Sequence, residues 1–421
     1  MIKHQLSNGL RVVAEPIPAI RSVSIGIWVK TGSRYEEPHR NGISHLIEHM
    51  LFKGTERYTA KDIADVFDGI GGNVNAFTSK EYTCFYAKVL DIHLPVAVEM
   101  LSEMVFHSIF DPHELDKEKN VIIEEIAMYE DTPDDFVHDL IALAAYRDHS
   151  LGFSILGSEE ILASIRSEDI REYMRSNYLV ENMVISLAGN IPPDFLDLLE
   201  EYFGEFRNHG NEPQDSPPVF CADVQFRAKK TEQNHICLAL PGHALDDERS
   251  YAMILLNNVI GGGMSSRLFQ EIREKKGLAY SVYSYHSAHL DSGLFTIYIG
   301  TLPKQTREVL NVTMEVLQEL VRNGVTDQEL TRGKEQLKGS MIIGLESSGS
   351  RMNRLGKNEL LLGRHQTIDE VIEKIEQVTK DDISHLIRDL FASPFALAMV
   401  GNSDEVISQF RRDPLVLPSA N

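Results

Sequence analysis

The sequence predicts an α+β protein with two homologous domains, each a mainly antiparallel sheet packed with helices. Three observations lead to this prediction. The chain has 421 residues, which is more than one hydrophobic core usually supports. A polar, proline-bearing stretch over residues 208–218 interrupts the chain near its midpoint. The segments on either side of this stretch repeat one order of strand and helix patterns.

We expect each half to run strand, helix, helix, strand, strand. Strands are predicted where apolar and polar residues alternate, and helices where apolar residues recur every three to four positions. In the first half these patterns cover residues 21–30, 42–54, 60–70, 72–78 and 81–89. In the second half they cover residues 235–240, 248–260, 265–276, 279–286 and 293–300.

Later landmarks repeat at a nearly constant offset. A predicted helix that opens at 114–115 has a counterpart at 329–330, 215 residues further on, and a strand that ends at 188–190 has a counterpart 212 residues further on, at 400–402. We favour duplication over the chance recurrence of common dipeptides. The expected organisation is an N-terminal domain, a linker and a C-terminal domain, over residues 1–207, 208–218 and 219–421.

The composition excludes some classes of partner. With 41 basic and 63 acidic residues the formal net charge is −22, which makes nucleic acid and anionic membranes poor partners. No apolar run reaches membrane-spanning length and the N-terminus has no apolar signal region, so we expect a cytoplasmic protein. The scattered residues Cys84, Cys221 and Cys237 form no metal or disulfide pattern and are interpreted as small buried thiols.

A histidine pair and a glutamate stand out in the helix predicted over 42–54. Its cap is either Ser44 or the preceding turn. His45 and His49 are four residues apart, so their Cβ atoms are about 5–6 Å apart on one face, close enough to bind one Zn²⁺. Glu48 lies beside them and can act as general base for a water molecule at that metal. Chance occurrence in a chain with 16 histidines is the alternative.

A third metal ligand is expected on the helix that follows residue 116. The stripe that contains Glu125 also carries Val121, Ile122, Met128 and Tyr129, and its apolar character predicts that it faces inward. The stripe that contains the neighbouring Glu124 is polar and reads as solvated. A buried carboxylate needs a partner. Glu125 is therefore the better ligand candidate.

Glu118 lies two turns before Glu125 on the same face, about 10 Å back along the helix axis. It is too far away to share the position of Glu125 at a metal, but it can orient a ligating histidine. An ordinary salt bridge to Lys117 or to another base is the alternative.

The His45-Leu46-Ile47-Glu48-His49 motif, followed 76 residues later by Glu125, resembles the M16 (pitrilysin, inverzincin) zinc metallopeptidases. The best match is their short-chain branch, which includes mitochondrial processing peptidase β subunits and bacterial homologues. The resemblance covers nearly the whole chain and implies a LuxS/MPP-like metallohydrolase fold. It implies that His45, His49 and Glu125 bind zinc, that Glu48 is the general base and that Glu118 supports the site.

The second half carries no equivalent metal motif. Its helix before residue 260 has no histidine, and at the offset of 215 the positions of Glu118 and Glu125 are taken by Gly333 and Ser340. We therefore expect one Zn²⁺ per chain. From the residues alone, Arg273 is interpreted as a basic residue that favours the helix dipole in the last turn, and Tyr280 as an ordinary strand residue. M16 enzymes carry an Arg and a Tyr at this spacing of seven, which implies that the pair grips substrate and stabilises an oxyanion.

Two further segments have both a structural and a functional interpretation. Gly261-Gly262-Gly263 is either a flexible connection or, by the resemblance, a loop that assists substrate entry. Asn75 and Ala76 follow a turn at Gly71-Gly72 and belong either to an ordinary edge strand or, as in M16 relatives, to a strand that binds substrate by strand addition.

These observations predict a zinc endopeptidase that hydrolyses peptides or unstructured protein segments inside a chamber. The resemblance suggests a homodimer in which Arg273 and Tyr280 of one protomer complete the zinc site of the other. The alternative from another class is a non-catalytic structural or assembly subunit of the same fold. A zinc hydrolase that is not a peptidase is disfavoured by the duplication and by the Arg273/Tyr280 match.

Overall fold

The computed structural model of the protein describes residues 1–211, 216–402, 405–412 and 415–417. The chain divides into two compact units. The first unit comprises Met1–Ile126, Ser154–Asp215 and Ile343–His365. The second comprises Ala127–Phe153, Ser216–Ile342 and Gln366–Asn421.

The described residues form eleven strands and fifteen α-helices. The strands are β1 (Ile2–Gln5), β2 (Arg11–Pro16), β3 (Ser22–Val29), β4 (Asn73–Thr78), β5 (Thr83–Leu90), β6 (Met183–Gly189), β7 (Val224–Ala228), β8 (Asn234–Pro241), β9 (Ala279–Ala288), β10 (Gly293–Thr301) and β11 (Ala396–Gly401). The helices are α1 (Ile43–Met50), α2 (Ala60–Gly69), α3 (Leu94–Phe106), α4 (Pro112–Glu130), α5 (Pro133–Tyr146), α6 (Glu159–Ser164), α7 (Ser167–Asn177), α8 (Phe195–Phe203), α9 (Ser250–Ile260), α10 (Thr306–Asn323), α11 (Asp327–Gly344), α12 (Ser348–Leu362), α13 (Ile368–Gln377), α14 (Lys380–Leu390) and α15 (Glu405–Arg412).

The sheet of the first unit has the strand order β1-β2-β6-β3-β5-β4. Strands β2 and β6 are parallel, and its other neighbouring pairs are antiparallel. The central strand β3 is buried along almost its whole length, which requires cover on both faces of the sheet. One face packs against α1, α3 and α8, in the largest hydrophobic cluster of this unit.

The other face of this sheet packs against α12, which comes from the second half of the sequence. Met352 and Leu355 of α12 form a hydrophobic cluster with Trp28 of β3. Trp28 is the single tryptophan of the chain, and its indole N–H donates a 2.8 Å hydrogen bond to the hydroxyl of Ser186. Helix α12 approaches this ring so closely that Gly356 leaves no room for a side chain: an added Cβ would lie 2.0 Å from Trp28 Nε1.

The sheet of the second unit repeats the first with one strand fewer. Its order, β7-β11-β8-β10-β9, matches β2-β6-β3-β5-β4 strand for strand, including one parallel pair at the same place. Helix α5, from the first half of the sequence, covers one face of this sheet and buries Val137, Ile141 and Ala144 against β8 and β11. The prediction of two homologous α+β domains is confirmed.

The compact units differ from the continuous segments 1–207 and 219–421 expected from the sequence, because each half contributes one helix to the other unit. Apolar residues of α5 and of α12 bury against sheets whose strands lie in the opposite half. The expected linker, 208–218, has no helix or strand in its described part, and residues 212–215 lie outside the described residues. Among the described residues no helix is both long and apolar enough to cross a membrane.

The predicted strands and helices of both halves are present, with two local differences. The helix expected over 265–276 is a π-helix at Phe269–Lys275. It ends before Gly277, whose φ of +61° suits the residue after a helix, as the sequence predicted. The helix expected over 42–54 covers Ile43–Met50, and its N-cap position is taken by Gly42, not by Ser44.

We expect Gly356→Ala to lower the free energy of unfolding of the first unit by about 1–3 kcal/mol, because the new methyl group overlaps the buried Trp28 ring. Denaturant unfolding followed by the fluorescence of Trp28 measures this directly. Gly349→Ala in the same helix is the matched control, since a Cβ there makes only ordinary contacts at 3.6 Å or more. Equal stability of the two variants would contradict the packing argument.

Candidate metal centre

The two histidines lie on one face of α1, where His45 is buried and His49 is half-buried. Ile43, Leu46, Ile47 and Met50 anchor this helix in the core of the first unit. The rings of His45 and His49 are one turn apart, with centroids 4.7 Å from each other and planes at 65°. His45 is 8% exposed. The helix therefore presents two imidazoles side by side.

Glu125 of α4 completes a cluster of three donor groups. Its Oε2 lies 3.8 Å from His45 Nε2 and 3.7 Å from His49 Nε2, and the three candidate donor atoms all lie within 4.8 Å of one another. In the part of the chain that the structure describes, no other group of three or more His, Cys, Asp or Glu side chains brings its donor atoms this close. The neighbouring Glu124 is exposed.

The stripe of α4 that contains Glu125 is only partly inward-facing, which the sequence did not predict. Glu118 and Ile122 are buried, whereas Val121 and Met128 are 48% and 67% exposed. Helix α4 thus lies at the edge of the core, and Glu125 sits where its face changes from buried to solvated.

Glu118 contacts the ring nitrogen of His49 that does not face Glu125. Its Oε2 lies 3.1 Å from His49 Nδ1 and its Oε1 lies 2.6 Å from Lys53 Nζ. A carboxylate accepts hydrogen bonds only, so His49 donates its Nδ1 proton to Glu118, and its Nε2 is the ring nitrogen available to a metal ion. The ion-pair alternative is also realised, but with Lys53, since Lys117 pairs with Glu114. Lys53 was not singled out in the sequence, although it lies four residues after His49.

Glu48 is oriented by a hydroxyl group. Thr78 at the end of β4 donates a 2.6 Å hydrogen bond to Glu48 Oε2. Burial raises the pKa of Glu48, and the Thr78 hydrogen bond and the charge of His49 oppose that shift. A carboxylate with a raised pKa is a stronger base than a solvated one. Sequence reasoning missed Thr78, because its contact with Glu48 depends on how β4 packs on α1.

The donor set fits a zinc ion. Burial, together with the charge of His49, lowers the pKa of His45 to about 4, so its imidazole is neutral at neutral pH, as a metal ligand must be. Two imidazoles and a carboxylate are a known ligand set of catalytic zinc. The three donor atoms lie within 4.8 Å of one another, so they can converge on one ion.

Arg273 and Tyr280, both in the second unit, are in contact. The guanidinium carbon of Arg273 lies 4.4 Å from the ring centroid of Tyr280 and 4.8 Å from that of Phe269, which is a cation–π arrangement on two rings. Tyr280, on the edge strand β9, is 74% exposed. Arg273 lies in the π-helix, a rare form that is often found at functional sites. Phe269 was not singled out in the sequence.

Comparison with known proteins assigns the family. Residues 11–159 match the family model described as insulinase (peptidase family M16), and residues 164–337 match the one described as peptidase M16 inactive domain. The Bacillus subtilis protein named uncharacterized zinc protease YmxG is 52% identical over 409 residues, which cover 97% of this chain and 100% of that protein. The chain belongs to the M16 peptidase family.

Another relative agrees with this assignment, and two solved structures share the fold. A protein of Streptomyces coelicolor named as an uncharacterized zinc protease is 42% identical, over 94% of this chain and 88% of its own. The peptidase M16 inactive domain of Pseudomonas fluorescens shares the fold with a TM-score of 0.89 at 20% identity, over 96% of this chain and 98% of its own. A chain of Complex III2 from Candida albicans also shares the fold, with a TM-score of 0.85 at 20% identity, over 98% of each chain.

His45, His49 and Glu125 lie within the first M16 match, and Arg273 and Tyr280 lie within the second. Asn75 and Ala76 lie on β4, the outermost strand of its sheet, so the edge strand expected from the sequence is present. The side chain of Asn75 accepts a 2.8 Å hydrogen bond from the backbone N–H of Ala76. A role of this edge in binding peptide stays a prediction.

The glycine run of this M16 chain is anchored at its first residue. The backbone N–H of Ser284 donates a 3.1 Å hydrogen bond to the carbonyl oxygen of Gly261. A Cβ at Gly261 would lie 2.5 Å from Ser284 N, so this position needs glycine for close backbone approach. Gly261 is therefore held against β9. A role of Gly261-Gly262-Gly263 in substrate entry stays a prediction.

We expect Glu118→Gln to weaken zinc binding by about 10–100-fold, because it removes the carboxylate that orients His49 and pairs with Lys53. Competition with a chromophoric chelator measures the zinc dissociation constant. Glu114→Gln, one turn earlier on α4 and paired with Lys117, is the control and should bind zinc as the wild type does. Wild-type affinity in Glu118→Gln would refute the orienting role.

Proposed function

We propose that this protein is a zinc-dependent endopeptidase that hydrolyses peptides or unstructured protein segments, with one zinc per chain. The observation that carries the proposal is the convergence of His45, His49 and Glu125, with Glu48 held beside them. Family membership and relatives named as zinc proteases support it.

His45, His49 and Glu125 would hold the zinc ion, which when bound polarises a carbonyl group and a water molecule. Glu48 accepts the proton of the attacking water. The hydrogen bond from the Thr78 hydroxyl fixes the orientation of this carboxylate. The raised pKa of Glu48 lets it retain this proton long enough to pass it to the leaving amine. Glu118 and Lys53 keep His49 in the ligating tautomer.

Arg273 and Tyr280 would bind the substrate and stabilise the oxyanion of the tetrahedral intermediate. Their stacking holds the guanidinium in one orientation, while most of Tyr280 stays accessible to a ligand. The proposed assembly is a homodimer that forms a closed chamber, in which this pair from one protomer serves the zinc site of the other. Substrate would add to the edge strand β4 at Asn75 and Ala76, where backbone hydrogen bonds are independent of peptide sequence.

The second candidate is a non-catalytic structural subunit. It is favoured by the shared fold of a chain in Complex III2 and by a second-half match to the family model described as an inactive domain. The convergence of three donor groups with Glu48 argues against it, because an assembly role does not require three ionisable side chains and a base beside one another.

We expect Glu48→Gln to retain zinc and to lose at least about 10²–10⁴-fold in peptide hydrolysis, since the amide cannot accept a proton. Zinc analysis and cleavage of a quenched-fluorescent peptide measure the two properties on one sample. The control is Glu124→Gln, at an exposed glutamate on α4. Undiminished cleavage by Glu48→Gln would refute its role, and a wild type without zinc would favour the structural subunit.

A mixing experiment tests how the site is completed. Glu48→Gln and Arg273→Ala are each expected to be inactive alone. If Arg273 acts on the partner protomer, each mixed dimer has one intact site, and an equal mixture recovers about a quarter of wild-type activity. If Arg273 acts within its own chain, every site carries one defect and nothing is recovered. Full activity of monomers at all dilutions would also refute the dimer.

A further inference from the structure

Helix α1 has no cap from a side chain at its own N-terminus. The residue at the cap position is Gly42, with φ of +95°. Ser44, the hydroxyl residue nearest the start of the helix, directs its Oγ to Tyr173 OH at 3.1 Å. The first N–H groups of a helix have no partner within the helix, and leaving them unsatisfied in a core is costly. Hydrogen-bond acceptors for the first N–H groups of α1 must therefore come from elsewhere in the chain.

Glu36 supplies these acceptors. Its Oε2 accepts hydrogen bonds from the backbone N–H of Gly42 at 2.7 Å and from the side-chain amide of Asn41 at 2.9 Å. Its Oε1 accepts one from the backbone N–H of Ser44 at 2.8 Å. Glu36 is 4% exposed. Burial raises the pKa of this carboxyl group, and the N–H groups of Gly42 and Ser44 oppose the shift. A negative group at a helix N-terminus is also favoured by the helix dipole.

The loop that carries Glu36 is itself held by contacts with the turn between β4 and β5. Arg34 and Glu81 form a 2.8 Å ion pair whose side chains are only 3% and 4% exposed. The backbone N–H of Arg34 donates a 2.8 Å hydrogen bond to the carbonyl oxygen of Lys80. Glu36 therefore approaches α1 from a segment that is tied to the turn between β4 and β5.

The turn of α1 that Glu36 holds is the one that carries His45. Ser44 precedes His45 directly, and Leu46 N–H closes the first helical hydrogen bond to the carbonyl oxygen of Gly42 at 3.0 Å. If this turn frayed, His45 would lose its direction toward Glu125, while His49, one turn later and held by Glu118, would keep its own. The metal site thus needs a separate restraint at each end of α1.

We propose that Glu36 is a positioning residue of the metal centre, which holds the first turn of α1 so that His45 faces Glu125. The proposal rests on the proposed function for its consequence in zinc binding, but the restraint on α1 is a property of the metal-free protein. Nothing in the metal motif itself points to Glu36, because it lies nine residues before His45 and touches no ligand.

Helix α2 provides a matched control in the same unit. Thr59 caps it through a reciprocal capping box with Asp62, and the helix carries none of the proposed site residues. Thr59→Ala therefore removes an N-cap of similar worth without disturbing α1. A difference between Glu36→Ala and Thr59→Ala separates positioning of the metal site from general loss of helix stability.

The experiment uses the wild type, Glu36→Ala, Glu36→Gln and Thr59→Ala of the full chain. Hydrogen–deuterium exchange is measured on the metal-free proteins, and the zinc dissociation constant is measured by chelator competition. We expect exchange over residues 43–50 to be about 10-fold faster in Glu36→Ala and zinc binding to be at least about 10-fold weaker. Glu36→Gln, which keeps one acceptor oxygen, should be intermediate and also serves if the alanine variant does not fold.

Thr59→Ala should accelerate exchange only over residues 60–69 and leave the zinc dissociation constant unchanged. The visible spectrum of the cobalt-substituted proteins adds a direct report on the ligands, and we expect it to change in the Glu36 variants alone. Wild-type exchange over 43–50 in both Glu36 variants would overturn the proposal. A wild type that binds no zinc would refute the peptidase function instead, and the exchange data would still decide the role of Glu36.

Discussion

The first unit is arranged around α1, a helix that carries polar side chains at the border of an apolar core. The apolar face of α1 anchors it against the sheet, and the same helix buries His45 and half-buries Glu48 and His49. A buried polar group without a partner costs about 1–3 kcal/mol. Thr78 at the end of β4, Glu118 on α4 and Glu36 in the loop before the helix supply partners for Glu48, for Nδ1 of His49 and for the first turn of α1, respectively.

The same partners determine the chemistry. Glu118 lies between His49 and Lys53, so a nearly buried carboxylate is compensated by a cation while it orients an imidazole. Three carboxylates, Glu48, Glu118 and Glu125, surround the two histidines. A divalent cation together with Lys53 would offset all of their charge, which makes the centre electrostatically suited to a metal ion.

The two homologous halves differ at the helix that follows the central strand of each sheet. Helix α9 occupies in the second unit the place of α1 in the first, but it buries Met253, Leu255 and Leu256 and carries no histidine. It packs as an ordinary core helix. The second half instead carries a half-buried Arg273 on its π-helix, in contact with the exposed Tyr280 at the start of the edge strand β9. Because α5 packs on the sheet of the second unit and α12 on the sheet of the first, each compact unit contains part of both halves of the sequence.

The sequence by itself determined the α+β class, the duplication, most helix and strand positions and the choice of Glu125 over Glu124, because these depend on local periodicity and spacing. Tertiary structure decided what covers each sheet and which groups support α1. Helices α5 and α12 could not be assigned to the opposite units from their own patterns, since an apolar stripe does not specify its partner sheet. Glu36, Thr78 and Lys53 join the site through contacts between separate elements, and only the packing of those elements brings them to the metal centre.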